Sequence, residues 1–581
     1  MKLSKFKEIW LVDTEFTERR GERVVPICLV AHELHSGRWL ELWADELSAM
    51  TAAPFDVGPD SLVVAYASTA EMLCFRVLGW DAPENLVDLY AEYRVVTGDT
   101  RRMRKYSLLE AMAHYRLDAI GAQEKKDMIA LAGRGAPFTA EERAALIAYC
   151  RSDVEALSRL FPAMAPDLGE TEWVLWRGRY TISVASMQDT GVPIDTATRQ
   201  ALADHWPAIQ CRLVDNGNRE YGVYDGTTFK QELFEKYLQK EGIEWERTAC
   251  GRLCTKREYF RDRASIFEQL KNLYDLKCTL DSMKLNDLAV GADGRNRARI
   301  KAFGTITGRN SMSSSGSVFG PARWVRGLIQ PSPGRAVCYL DYEAQEFGVS
   351  AYLSEDPNMI EAYQSGDPYL AFAKMARMAP DDATKATHEE IRDTFKTLCL
   401  AVSYGMGVET FARAIDKSVQ AAEELFSIYR RTFSVFCAWR DRALNFAIVH
   451  GYLHTMFDWR LRYRRKDNIR TFYNFLSQGG AAEMLRVACI LVTEAGIIAC
   501  LPVHDAILIE SDESEIERVA EEATELMKRA SRITLNGPEL RVERAQLIRW
   551  PDRFMDKKVR PMWDRVTGIL AELEAEERAK K

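Results

Sequence analysis

The sequence has no run approaching the roughly 18 apolar residues that cross a bilayer, and its start, Met1-Lys-Leu-Ser-Lys-Phe-Lys7, lacks the apolar stretch of a secretion signal. A soluble, cytoplasmic chain with no membrane partner is expected. Paired CxxC clusters are missing: twelve cysteines are scattered, and Cys250 with Cys254 has no second pair to complete a zinc site. They read as reduced, mostly buried thiols. Net positive charge is missing as well, since 78 Lys and Arg face 85 Asp and Glu for a formal charge of −7. Composition gives no global pull toward nucleic acid, so any such surface must be local. No internal repeat or low-complexity tract occurs, which excludes a repeat array. What the chain has is size: 581 residues at 47% hydrophobic composition can build about three or four domains with their own cores.

The stretch that organises the rest is Arg335-Ala-Val-Cys-Tyr-Leu-Asp-Tyr-Glu-Ala-Gln-Glu-Phe-Gly-Val-Ser-Ala351. Val337, Tyr339 and Leu340 read as a buried strand, after which Phe347, Ala351 and Leu353 fall at helical spacing, so Asp341 is expected at a strand's carboxyl end. A lone acid there is usually a turn or cap residue. Its companions downstream change that reading. Within residues 389–407, Ile391, Phe395, Leu398 and Val402 form an apolar helical stripe, while Arg392, Lys396, Leu400 and Tyr404 step by four along another face. Cations one turn apart suit phosphates, and Gly405 frees the Tyr404 ring to stack or swing. Within residues 497–510, two apolar strands flank Val503-His504-Asp505, a hairpin that sets a carboxylate at a tight turn. Arg470, Asn474 and Gln478 also step by four, ahead of Gly479-Gly480-Ala481-Ala482, and suit contacts to sugars and base edges. Residues 304–320, rich in turn formers, read as a loop beside the site.

The N-terminal segment carries a second acidic set. Ile9-Trp-Leu-Val-Asp-Thr-Glu-Phe16 is a strand whose Asp13 and Glu15 share one face. Further strands are expected over 24–31, 39–43 and 62–66, and helices over 70–80, 107–115 and 141–160. The last of these puts Tyr149 and Asp153 on one face. Phe161-Pro162-Ala-Met-Ala-Pro166 reads as a linker, and residues 187–195 as a turn-rich lead-in to further helices. The drift Lys271, Lys277, Lys284, Arg295, Arg297, Arg299 and Lys301 is either a solvated face or a phosphate-tracking surface. The basic, aromatic stretch Trp459–Lys466 fits a duplex or template surface as well as it fits a solvated strand edge.

Taken together these residues resemble the family A DNA polymerases, the bacterial polymerase I group and its bacteriophage relatives. Asp341-Tyr342 with Glu346 is similar to motif A, Arg392, Lys396, Tyr404 and Gly405 to motif B, and Val503-His504-Asp505 to motif C. Thr307-Gly308-Arg309 and Gln478-Gly479 match two further stretches in the expected order. The resemblance implies an α/β multidomain chain: an RNase H-like DEDD 3′–5′ exonuclease domain over 1–165, a linker and helical thumb over 166–300, palm over 301–355, fingers over 356–450, and the rest of the palm over 451–581. It implies no 5′ nuclease domain. It further implies template-directed DNA synthesis with proofreading, in phage replication within a bacterial host, by a monomer whose partners are primer-template DNA, deoxynucleoside triphosphates and a possible helicase or processivity factor.

By the same resemblance, Asp341, Asp505 and the Tyr342 carbonyl hold two Mg²⁺ ions, with Mn²⁺ able to substitute. Arg392 and Lys396 grip the triphosphate, Lys396 protonates the leaving pyrophosphate, Tyr404 stacks near the templating base and Glu346 fills the space of a ribose 2′ hydroxyl. Arg309, Arg470, Asn474, Gln478 and His504 contact DNA. In the N-terminal domain Asp13, Glu15, Asp153 and Glu71 make an acid cluster for two further ions, with Tyr149 orienting the attacking water. Five positions depart from the family pattern. Ala67 and Glu71 stand where an Asn and an Asp are usual, Leu400 replaces an aromatic, Ala506 replaces the acid after Asp505, and Tyr369 replaces the histidine of Asp-x-His, which begins here at Asp367. These departures leave two rival readings, a chain that mainly degrades DNA with a weakened polymerase site, and a noncatalytic primer-template binding factor.

Overall fold

The computed structural model describes residues 3–98, 106–118, 122–248, 250–256, 259–260, 263–264, 267–282, 285–312, 316–320, 322–465 and 467–580. Lys284 and Lys466, counted above in basic stretches, lie outside the described residues.

Ile9, Trp10, Leu11 and Val12 are fully buried in the strand Glu8–Thr17, an uninterrupted apolar run of the kind that a strand covered on both faces requires. That strand is the middle of a five-stranded sheet ordered Trp39–Trp43, Val25–Glu33, Glu8–Thr17, Ser61–Ala65, Leu86–Asp88. The first three run antiparallel and the last two join in parallel. Separate apolar clusters sandwich it, one with Ile9 and Leu11, the other with Trp10 and Val12. Because side chains alternate, Asp13 and Glu15 fall on the Leu11 face, which the helix Ala140–Met164 covers.

That helix opens on a capping box between Thr139 and Glu142 and continues to Met164, then passes through one turn, Ala165–Asp167, into the helix Thr171–Thr190. The linker expected at 161–166 is therefore helical. Pro162 sits in the last turn, where it removes a single hydrogen bond, and the fully buried Phe161 and Met164 hold the turn in place. Residues 187–190 likewise belong to a helix, which ends only at Gly191. Helix Thr171–Thr190 packs on the N-terminal sheet so closely that a Cβ on Gly178 would stand 1.9 Å from the Leu86 carbonyl oxygen.

A second sheet, ordered Ile498–Val503, Ala506–Asp512, Arg335–Tyr342, Val542–Arg549, is antiparallel throughout. The Tyr342 ring is buried and its hydroxyl donates to the Met527 carbonyl at 2.6 Å, tying the sheet to the helix Ile516–Leu535 behind it. Ile469–Glu494 is long and apolar enough to cross a membrane, yet 89% of its most apolar window is buried, as a core helix requires. Six helices between Pro357 and His450 enclose an aromatic core of Phe372, Phe395, Tyr429 and Phe433. All twelve cysteines are free, and most are buried.

Candidate active sites

Asp341 is the penultimate residue of the strand Arg335–Tyr342, and Asp505 lies in the turn between the neighbouring strands, where the Tyr342 amide donates to the Asp505 carbonyl at 3.3 Å. Their carboxyls are hydrogen-bonded to each other. His504 takes a left-handed backbone (φ 57°) to make the turn, which costs a non-glycine residue energy and leaves its ring exposed. Asp341 Oδ1 is buried without a hydrogen-bond partner. Burial, then Asp505 and Glu543, push Asp341 up to about 8, and burial also raises Asp505. Paired carboxyls that resist joint ionisation, with an oxygen left unsatisfied, are a donor set that fits a hard divalent cation.

Beside this pair stands the helix Glu389–Ser403. Phe395, Leu398, Cys399, Ala401 and Val402 are buried, which turns Lys396, Leu400 and the capping residue Tyr404 outward. Leu400 and Tyr404 remain 39% and 42% exposed, open to a ligand. Arg392 is ion-paired with Asp367, and both Arg392 and Lys396 lie over the Tyr369 ring, 5.5 and 5.8 Å from its centroid. Tyr369 thus stands under the two cations on the helix side of the site. Gly405 (φ 63°) ends the helix where a Cβ would meet Arg470 at 2.8 Å, so the aromatic face and the Arg470, Asn474, Gln478 face adjoin. Gln478 hydrogen-bonds to the Tyr404 hydroxyl. A Cβ on Gly480 would stand 2.9 Å from Val349, so its bareness brings that helix against Gln345–Ser354.

Glu346 joins the two halves of the site. It accepts from Arg309 and from the Tyr404 hydroxyl at 3.1 Å, while Arg309 also acts electrostatically on Asp505 and His504. The loop bearing Arg309 has its carbonyls held from three directions. Arg94 donates to Phe303 and Thr305, Trp459 Nε1 to Ile306 at 3.0 Å, and Arg486 to Gly308 at 2.6 Å. The sequence reading missed Arg94, whose placement depends on a contact more than two hundred residues away. It also missed Glu543, opposite Asp341 on the neighbouring strand, and Arg323, Arg326 and Lys558, whose charges reach His504 or Lys396. Only the Arg323-x-x-Arg326 spacing ahead of the strand was a visible signal.

In the N-terminal unit the structure brings Asp13, Glu15, Glu71 and Asp153 into mutual electrostatic contact. Burial leads in raising all three of the first, Glu15 to about 7, with Asp153 next for Asp13 and Glu15. Asp13 Oδ2 and Glu71 Oε2 are buried without hydrogen-bond partners, and Glu71 is only 2% exposed. Ala67 has a left-handed backbone (φ 60°), and its amide donates to the buried Asp88 carboxyl at 2.9 Å, so the turn before the Glu71 helix is held without an Asn side chain. Tyr149 is raised by burial and by the acids around it, so its hydroxyl remains a proton donor. One cation unmarked in the sequence reading, Lys125, reaches Asp153 at 3.1 Å. Among the described residues no three His, Cys, Asp or Glu side chains close round one point. Both acid sets are oxygen donors whose coordination a phosphate would complete, the manner in which Mg²⁺ is usually held.

The raised carboxyls make stability depend on pH. With its folded-state value raised to about 8, Asp341 contributes stability that is fully present below the ordinary carboxylate range near 3.8 and is lost as pH rises through 8. In chelator at pH 8 the Asp341→Asn chain is therefore expected to melt a few degrees above wild type, on the order of 2 kcal/mol after solvent screening, and at pH 4 the two should coincide. Melting curves across that range check it; a wild type that melts higher at pH 8 than its variant would contradict the upward shift.

The sequence pattern of DNA polymerase family A matches residues 231–550. The thermostable DNA polymerase I of Thermus aquaticus is 26% identical over 404 residues, covering 64% of this chain and 48% of that protein. The DNA polymerase I of Aquifex aeolicus is 24% identical over 460 residues, covering 70% of this chain and 76% of that protein. The chain thus spans about half the length of the Thermus relative. The POL domain of Pol1 from M. smegmatis, solved in complex with DNA primer-template and dNTP, matches with a TM-score of 0.69 over 92% of this chain and 94% of that one, at 18% identity, so the two share a fold.

Proposed function

The chain belongs to DNA polymerase family A, and on that premise we propose that it is a template-directed DNA polymerase that extends a primer 3′ end and also carries a 3′–5′ proofreading exonuclease. The observation that carries the first activity is the Asp341–Asp505 pair, with an unsatisfied oxygen, linked through Arg309 and Glu346 to the exposed Lys396 and Tyr404 face. Residues 1–165 are read as the exonuclease, 166–300 as thumb, 301–355 with 451–581 as palm, and 356–450 as fingers. We place the chain in bacteriophage replication in the cytoplasm of a bacterial host, on the motif resemblance alone.

Asp341, Asp505 and the Tyr342 carbonyl would hold two Mg²⁺ ions, since the Tyr342 side chain is committed to the core. Bound there, the ions would activate the primer 3′ hydroxyl and neutralise charge on the triphosphate. Arg392 and Lys396 bind triphosphate oxygens from their helix face, and Lys396 Nζ gives a proton to the leaving pyrophosphate. Tyr369 packs under both cations and keeps them in line, the part left to it in place of a histidine. Tyr404 offers a ring for base stacking, and Arg309, Gln478 and His504 read the primer end from the minor groove. Leu400 leaves the sugar without an aromatic contact. In the second site Asp13, Glu15, Glu71 and Asp153 would hold the ions, and Tyr149 donates a hydrogen bond that orients water.

A labelled primer-template incubated with Mg²⁺ tests this reading. Extension is expected with deoxynucleotides and shortening without them. Shortening alone would identify an exonuclease with a failed polymerase site, and an unchanged primer a noncatalytic binder. Glu346→Ala is expected to lower discrimination against ribonucleotides by about tenfold or more, because the carboxylate held by Arg309 and Tyr404 occupies the 2′ hydroxyl's space. The ratio of kcat/KM for deoxy- and ribonucleotides measures it, and an unaltered ratio would remove Glu346 from sugar selection.

A further inference from the structure

The acid cluster of the N-terminal sheet contains its own cation. Lys125 lies on the helix Ala122–Arg134, donates from Nζ to Asp153 Oδ2 at 3.1 Å and stands 5.7 Å from the centroid of the Tyr149 ring. Among the described residues it is the one cation ion-paired with Asp13, Glu15, Glu71 or Asp153. Its side chain is 29% exposed, whereas the next residue, Lys126, faces solvent. The helix that presents it is fastened to the strand that presents Asp13 and Glu15. The Thr17 hydroxyl donates to the Ala132 carbonyl at 3.0 Å, and Gly135 lies against the same Thr17 side chain, where a Cβ would stand at 3.2 Å. Lys125 is thus built into the site from two elements, its own helix and the strand below.

Charge gives it a task. Four ionised carboxylates and one phosphodiester carry five negative charges, and two divalent ions carry four positive ones; an ammonium closes the difference at the place where charge builds on phosphorus. The unsatisfied oxygens of Asp13 and of the nearly fully buried Glu71 mark the site as made for a ligand rather than for an internal salt bridge. Asp153, by contrast, already has a partner.

Resting on the exonuclease reading above, we propose that Lys125 is a catalytic residue of this site: it waits on Asp153 and, when DNA enters, donates to a non-bridging oxygen of the phosphodiester being cut. In that step the water oxygen bonds to phosphorus, and the bond from phosphorus to the 3′ oxygen of the penultimate nucleotide breaks with its electron pair. One hydrogen of the water ends on that 3′ oxygen and the other on the released nucleoside 5′-monophosphate. Lys125 keeps its proton throughout and acts by its charge and its hydrogen bond.

The test uses the full chain, Mg²⁺ and a 5′-labelled single strand. Lys125→Ala is expected to slow shortening at saturating DNA by about 10²-fold with little change in KM. Lys125→Arg should recover part of the loss, and Lys126→Ala should behave as wild type. Primer extension should be unchanged in all three, and only Lys125→Ala, which takes the partner from Asp153, should melt slightly lower. A phosphorothioate replacing the non-bridging oxygen that faces Lys125 should slow wild type and leave Lys125→Ala little affected. A Lys125→Ala chain that shortens DNA as fast as wild type or faster, or that shows the full phosphorothioate effect, overturns the assignment of Lys125 alone. A wild-type chain that leaves the strand intact while extending primers overturns the exonuclease reading and this one with it.

Discussion

Asp341→Asn is expected to lower primer extension by about 10³-fold or more, which corresponds to about 4 kcal/mol of lost transition-state stabilisation. The reasoning starts from what the substitution leaves in place. Asn fills the same volume at the end of the strand Arg335–Tyr342, can still hydrogen-bond to Asp505, and does not disturb the register that pairs position 341 with Ala506 and Glu543. What it removes is one of the two paired carboxylates, and with it, on the proposed reading, the capacity to hold a second divalent ion beside the first. With Ala506 following Asp505, the turn offers no adjacent acid to take over. Glu543 lies across the strand and is exposed, so partial residual activity would trace to it. Single-turnover extension at saturating nucleotide measures the loss. Equal rates for wild type and Asp341→Asn would show that chemistry does not occur at this pair.

The second large effect belongs to the other site. Asp13→Ala should reduce shortening of a 3′ end by about 10³-fold while extension continues at the wild-type rate. Asp13 lies at the centre of the acid set, interacting with Asp153, Glu15 and Glu71, and its Oδ2 has no partner. Burial and then the neighbouring Asp153, Glu15 and Glu71 raise Asp13, so removing its carboxyl relieves like-charge crowding and should not weaken the fold, and a stable chain with unchanged extension is expected. Undiminished shortening by Asp13→Ala would place degradation elsewhere in the chain.

How far these sites were legible follows from what each residue depends on. Asp341, Asp505 and the Arg392, Lys396, Tyr404 face were readable because strand alternation, hairpin length and helical period are local properties, and the structure shows the expected elements at each. Lys125 was not, because in Glu124-Lys125-Lys126-Asp127 nothing local separates a lysine that meets an acid cluster from one that meets water. Arg94 and Glu543 escaped for a related reason, since only long-range packing and sheet register place them. The strand Val542–Arg549 went unseen because an edge strand carries polar residues along its open side. Pro162 and Pro166 misled in the opposite direction: they looked like a break, yet the buried side chains beside them keep the chain coiled.

The buried pair of Arg177 with Glu92 crosses from the N-terminal unit to the helix Thr171–Thr190, and Arg177 also donates to the Phe457 carbonyl at 2.9 Å. Together with Arg94, which donates to the loop that carries Arg309, it makes the first hundred residues part of the scaffold around the Asp341–Asp505 pair. Truncation at residue 165 is then the wrong tool for separating the two proposed activities. A fragment starting there would strip Arg177 of its carboxylate, a loss of about 3 to 5 kcal/mol when such a pair is broken from one side, and would take Arg94 from the Phe303 carbonyl and leave the Thr305 carbonyl to the Gly308 amide alone. Dissection of this chain by deletion would report damage to the proposed synthesis that belongs to the cut, whereas point substitutions at Asp13 and Asp341 are expected to silence either candidate site inside an intact frame.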